Sequence, residues 1–231
     1  MKAAEPSRGG SGPFRLLVAE TVEAASIEAA RELVEAARGG RQIALSGGAT
    51  PIRAYELAAE LEPDWGGVGL WWGDERCVPP DDERSNFRLA CAALLDRLAQ
   101  PPAALHRILG ELEPEEAARA YDEELRGVTL DVVLLGIGTD GHTASLFPHA
   151  AALAEEERLA VAAAGPDVPR VTLTPPALRS ARHVVFLAVG EEKAEAVERA
   201  FDAAPDPGTP ASLVRGERTT AILDRAAAQR L

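Results

Sequence analysis

Residues 136–148, GIGTDGHTASLFP, bring a histidine, an aspartate two places before it and three hydroxyl residues into one glycine-rich segment behind the apolar run VVLL. Two chemistries fit those residue types. Gly136, Gly138 and Gly141 match G-x-G-x-x-G, the spacing with which a dinucleotide-binding turn lets its backbone approach a pyrophosphate. Alternatively, the glycines let the chain turn sharply and carry Asp140 and His142 to the mouth of a crevice, where an imidazole takes a proton near neutral pH. The dinucleotide pattern is incomplete. Its acidic partner should close the next strand about 20 residues on, whereas Glu155, Glu156 and Glu157 precede the next apolar run. Pro148 cuts short any helix that opens at the third glycine, and the motif follows several strand–helix units instead of opening the fold. Among the other histidines, His106 lies in LHRIL and His183 opens an apolar run, so both read as packed or capping residues; His149 follows Pro148 at an expected helix start. Packing gives no reason for an imidazole at His142, which reads either as a base or as an exposed histidine in an Asp-Gly-His turn.

The cations are distributed unevenly. Of 24 Lys plus Arg, only Lys2 and Lys193 are lysine. Lys193, in GEEK, either answers a demand for a compact, flexible ammonium or reflects composition alone. The segment SGGATP (46–51) lacks the G-K-[ST] of a nucleotide P-loop, yet its adjacent glycines expose N–H groups at the positive end of an expected helix, which suits a phosphate monoester. A plain turn with Thr50 capping that helix is the bland alternative, compatible with the first. No H-E-x-x-H, no Cys/His cluster of ligand spacing and no G-x-S-x-G elbow occurs, so neither a metal site nor a serine acyl-enzyme is expected.

Elements must hold these residues in place. Strands are expected at 14–19, 41–46, 68–72, 131–136, 158–163, 170–174, 183–190 and 220–223, with helices ending at Gly39 and spanning 51–61, 86–98, 114–126 and 191–203. GDERCVPPDDERSN (73–86) reads as a long polar loop and PDPGTP (205–210) as a shorter one. The strands are unbroken apolar runs separated by helices, the pattern of a mainly parallel sheet covered on both faces. The fold class is therefore α/β: one three-layer, Rossmann-like domain over 14–231, after a Gly/Pro/Ser-rich leader at 1–13 that is expected to be disordered. Ligands of such sheets bind at the carboxyl ends of the strands, so SGGATP, GDERCVPPDDERSN, GIGTDGHTASLFP and GEEK should converge at one edge.

A chain of 231 residues with a formal charge of −13 lacks the basic surface that nucleic-acid binding needs, while a small anion asks only for a few local donors. The 2 cysteines show no C-x-x-C spacing, and no apolar secretory core opens the chain, which reads as a reduced, cytoplasmic protein. Its apolar runs fall far short of the roughly 20 residues of a membrane helix.

Taken in order, LSGGATP (45–51), GDERCVPPDDERSN (73–86), GIGTDGHTASLFP (136–148), RVTLT (170–174) and VGEEK (189–193) resemble the 6-phosphogluconolactonases, in a superfamily shared with glucosamine-6-phosphate deaminases. The resemblance spans about residues 14–225 and implies hydrolysis of a phosphorylated sugar lactone, in the pentose phosphate pathway, with no cofactor, by a monomer or weak homo-oligomer. It implies that His142 activates water. Arg76, Lys193, the backbone of Gly47 and Gly48, the side chains of Ser46 and Thr50, and Arg170 would hold the phosphate. Asp74, Asn86 and Asp140 would shape the loops or touch sugar hydroxyls. The deaminases carry an acid five places after the histidine, where this chain has Phe147, and tend to have tyrosine in place of Arg76.

Overall fold

Unbroken apolar runs form strands here because both of their faces are covered. The computed structural model describes residues 13–231, so the leader expected over 1–13 lies, up to residue 12, outside the described residues; the Pro13 carbonyl accepts the Thr219 amide at 3.1 Å. The chain begins with β1 (Phe14–Ala19), α1 (Val22–Arg38), β2 (Gln42–Leu45), α2 (Ile52–Leu61), β3 (Gly69–Trp72), β4 (Asp74–Arg76), α3 (Asn86–Ala93) and β5 (Ala104–His106). It continues with α4 (Pro114–Leu125), β6 (Val132–Leu135), β7 (Ala160–Ala163), β8 (Arg170–Leu173), α5 (Pro175–Arg179), β9 (His183–Ala188), α6 (Ala194–Phe201) and β10 (Arg218–Asp224). The first helix shows how local sequence sets an element. The Thr21 side chain caps it by accepting the Ala24 amide, its apolar stripe buries Ala25, Ala29, Leu33 and Ala36, and Gly39 and Gly40 end it.

Seven strands form one parallel sheet in the order β1-β10-β9-β6-β2-β3-β5. Every residue of β3, β6 and β9 is buried, and successive side chains point to opposite faces, so both faces are covered. From β2 the chain builds outward through β3 to β5; it then returns to the other side of β2 and builds through β6 and β9 to β10. The order reverses between β2 and β6. Loops leaving these two strands therefore part and open a crevice at their carboxyl ends.

Several expectations need correction. Part of the polar stretch 73–86 is strand: β4 joins β8 and β7 in a separate antiparallel sheet, with Asp74 opposite Thr172 and Arg76 opposite Arg170. The apolar runs at 158–163 and 170–174 are strands as expected but belong to this small sheet, because the connection 164–169 is too short for a parallel crossover. Gly73 joins the two sheets, donating to the Leu45 carbonyl at 2.8 Å and accepting the Leu173 amide at 2.8 Å. β5 was not expected. The helix expected over 86–98 stops at Ala93, where Leu94 leaves helical geometry, and a 3₁₀ turn follows at Leu95–Arg97. That expected from 191 begins at Ala194 behind a 3₁₀ turn. His149 is no helix start: it sits in a turn at φ 57°.

The chain's 2 tyrosines perform the same task on neighbouring strands. Tyr55 Oη accepts the Ser46 amide at 2.9 Å and donates to the Ser46 carbonyl at 2.7 Å, and Tyr121 Oη accepts the amide and donates to the carbonyl of Trp72, each at 2.9 Å. Each phenol supplies the pairing that no neighbouring strand gives there, at Trp72 because β5 has ended and at Ser46 because β6 pairs with β2 only as far as Ala44, and burial raises the pKa of both. Tyr121→Phe leaves two buried backbone groups of Trp72 unpaired and should cost about 1–3 kcal/mol. A lower urea midpoint at unchanged slope is the expected result, and an unchanged midpoint would show that those groups find other partners.

Candidate active site

The crevice at the carboxyl ends of β2, β3, β6 and β9 holds a cleft of about 380 Å³. All four loops singled out from the sequence reach it: Ser46, Gly47, Gly48 and Thr50 after β2; Asp74, Arg76 and Asn86 after β3; His142 after β6; and Lys193 after β9. Arg170 enters from β8. Asp140 does not line the cleft but binds the residue that does. Thr50 makes no capping hydrogen bond to α2, so the capping alternative does not hold.

At His142 the geometry assigns the two ring nitrogens different tasks. Nδ1 lies 2.6 Å from Asp140 Oδ1, which also accepts the His142 amide at 3.0 Å. Burial alone would raise the Asp140 carboxyl, but hydrogen bonds and charge from His142 outweigh it and the pKa is lowered. An ionised Asp140 accepts a hydrogen bond from Nδ1–H and keeps the proton on that nitrogen, so Nε2 is left as the ring's lone-pair acceptor. Gly138 explains part of the glycine spacing. A Cβ there would fall 2.0 Å from His142 Nδ1 and 2.5 Å from Asp140 Oδ1, so the backbone approach that glycine permits is to the imidazole, not to a pyrophosphate. The Phe147 ring packs 4.9 Å from the imidazole, tilted by 43°. The other three histidines do not line the cleft. His106 stacks on Trp71 and bonds Glu124, and His149 lies in its turn. Buried His183 bonds Thr220 and accepts from Arg218; burial first, then the Arg218 charge, pushes its pKa down to about 4.

The opposite wall is a network of acceptors already in use. Asn86 donates to the Asp74 carbonyl at 2.8 Å and accepts Arg76 at 2.6 Å, and its side chain occupies the space a Cβ on Gly47 would need. Asp74 accepts the Ser145 hydroxyl at 2.6 Å, joining the histidine loop to this wall. Glu75, absent from the sequence-based set, is buried and takes four donors: the amides of Arg76, Asn86 and Phe87 and the Ser85 hydroxyl. It thereby caps α3 and closes the 76–86 loop; desolvation nevertheless raises its pKa. Ser145 and Glu192 also line the cleft and were not singled out. A polar DER followed by a Ser N-cap could have signalled the Glu75 cap; the Ser145–Asp74 bond, 71 residues apart in the chain, had no sequence signal.

Donors, in contrast, are left over. The Arg76 guanidinium bonds only neutral acceptors among the described residues, the Arg84 carbonyl and Asn86. Arg170 spends one guanidinium nitrogen on Asp167 at 2.6 Å, while its buried Nη1 and the buried Ser46 hydroxyl have no partner among the described residues. Desolvation, and then the nearby Arg76 charge, lowers the Arg170 pKa. Unpaired buried donors beside two guanidiniums form a site shaped for an anion.

A family model described as glucosamine-6-phosphate isomerases/6-phosphogluconolactonase matches residues 17–223. A 6-phosphogluconolactonase of Synechocystis sp. is 41% identical over 182 residues, 74% of this chain and 76% of its own length, and one of Streptomyces coelicolor is 37% identical over 90% of each chain. The solved 6-phosphogluconolactonase of Trypanosoma cruzi superposes with a TM-score of 0.82 at 29% identity, covering 97% of this chain and 99% of that one. By a family model that spans most of its length, the chain belongs to the glucosamine-6-phosphate isomerase/6-phosphogluconolactonase family.

Proposed function

We propose that the protein hydrolyses 6-phospho-D-glucono-1,5-lactone to 6-phospho-D-gluconate, the lactone step of the pentose phosphate pathway, with His142 as general base. One observation carries the reading: an imidazole whose Nδ1 is committed to Asp140 lines the same cleft as the unpaired Arg170 and Ser46 donors. Those donors, with Arg76, Lys193, Thr50 and the Gly47 and Gly48 backbone, take the phosphate, and its binding energy orients the lactone carbonyl. Nε2 of His142 removes a proton from water as the water oxygen attacks C1. The tetrahedral oxyanion collapses, the bond from C1 to the ring oxygen breaks, and the imidazolium returns the proton to that oxygen. Asp140 holds the tautomer and stabilises the imidazolium. A δ-lactone is an activated ester, so this route asks for neither metal nor redox cofactor. The relatives' names support the substrate, and the apolar Phe147 beside His142 disfavours the ring-opening acid chemistry of an isomerase.

His142→Ala should lower kcat by about 10²-fold or more after the enzyme-free rate is subtracted, with the affinity for 6-phosphogluconate little changed. Wild-type activity should fall as acid protonates the base. Full activity of the variant would overturn the mechanism while leaving the substrate assignment intact. Lys193→Ala should raise KM for the lactone while sparing kcat, because the ammonium binds ground state and transition state alike; an unchanged KM would remove Lys193 from the phosphate site. Given glucosamine 6-phosphate, the protein should release no ammonia, and steady release would sink the lactonase reading.

A further inference from the structure

The Pro/Gly-rich segment at 205–210 contributes nothing to the cleft lining, yet it is bonded to the loop that carries His142. Residues Asp206–Ser212 form a closed turn. The Thr209 amide donates to the Asp206 carbonyl at 2.8 Å and the Ser212 amide to the Thr209 carbonyl at 2.8 Å. The buried Ser212 hydroxyl accepts the Asp206 amide at 2.8 Å and donates to the Asp206 carbonyl at 3.2 Å. From this turn the Ala211 amide reaches the Gly141 carbonyl at 3.0 Å, and the Pro207 carbonyl accepts the His149 amide at 3.2 Å.

The Gly141 contact matters because of which peptide it holds. The Gly141 carbonyl and the His142 amide belong to one planar unit, so fixing both ends fixes the orientation with which the chain enters His142. Asp140 Oδ1 holds the amide end and Ala211 the carbonyl end. Gly141 itself sits at φ 90°, where a glycine has little torsional restraint of its own. Buried Thr209 supplies restraint from outside, with its Cγ2 only 2.9 Å and its Cα 3.2 Å from the place a Gly141 Cβ would occupy.

We infer that the Asp206–Ser212 turn is the positioning device for the base: through Gly141 it sets where the His142 imidazole stands in the cleft, with Thr209 and Ser212 as its positioning residues. The inference rests on the reading of His142 as general base. It separates two functions of the fold, since the turn touches none of the groups assigned to the phosphate. Its disturbance should therefore reach the chemical step and spare binding.

The test is steady-state kinetics of full-length Ser212→Ala and Thr209→Ser on 6-phosphogluconolactone, beside His142→Ala and far below each variant's thermal midpoint. Ser212→Ala should lower kcat about tenfold, as expected for a displacement of the base by a fraction of an ångström. KM for the lactone and Kd for 6-phosphogluconate should stay within about twofold of wild type. Thr209→Ser keeps the backbone hydrogen bonds and removes only the methyl against Gly141; it should show the same split in smaller measure, and it serves as the test if Ser212→Ala does not fold. An unchanged kcat in the folded variants, or kcat and binding failing together, would overturn the inference and reduce the turn to a contributor to stability. If His142→Ala retains wild-type turnover, the base reading fails; if His142→Ala is inactive while both turn variants are normal, only the positioning inference fails.

Discussion

A parallel sheet that stops along one edge leaves the backbone groups at its strand ends without neighbours, and the site in this protein depends on how those groups are satisfied. At the ends of β2 and β3 the answer is a buried phenol that both accepts and donates. Tyr55 secures the Ser46 backbone so completely that its hydroxyl has no structural task and remains available in the cleft wall. Gly73, bonded to β2 on one side and to β8 on the other, lets the chain leave the main sheet one residue beyond Trp72. The small sheet that results carries Asp74, Arg76 and Arg170 to the cleft.

The electrostatics follow from the same edge. Acceptors in and around the cleft are largely consumed within the protein: Asp74 by Ser145 and Asn86, Glu75 by the start of α3, Asp140 by His142. Donors are left over. A protein with a net charge of −13 can thus present an anion site, because local pairing, and not the overall charge, decides what a small ligand meets. The pairing also keeps two guanidiniums side by side with an unbonded nitrogen, a costly arrangement that an incoming anion relieves.

Much of this was legible in order along the chain. Apolar runs located β2, β3, β6 and β9, and the loops behind them were rich in the residue types that line the cleft. The misplaced pieces share a cause. β7 and β8 have the same apolar character whichever sheet they join, and only the brevity of 164–169 signalled an antiparallel turn. β4 is made of charged residues and is a strand because it pairs with β8, far along the chain, while the buried Glu75 carboxylate finds four donors contributed by residues 76–87. Spacing suggested G-x-G-x-x-G, but the partner that needs Gly138 is an imidazole four residues later, which no glycine count reveals.

By itself the sequence determined the α/β class and the family, because periodicity and short motifs are local properties written in consecutive residues. It also determined which side chains could serve as base and cations. The tertiary structure decided which nitrogen of His142 is committed, which of the arginine donors remain unpaired, and that the Asp206–Ser212 turn lies against Gly141. Each of those depends on the position of atoms relative to partners that the chain order or the side-chain rotamer leaves open, and folding alone brings them within hydrogen-bond range.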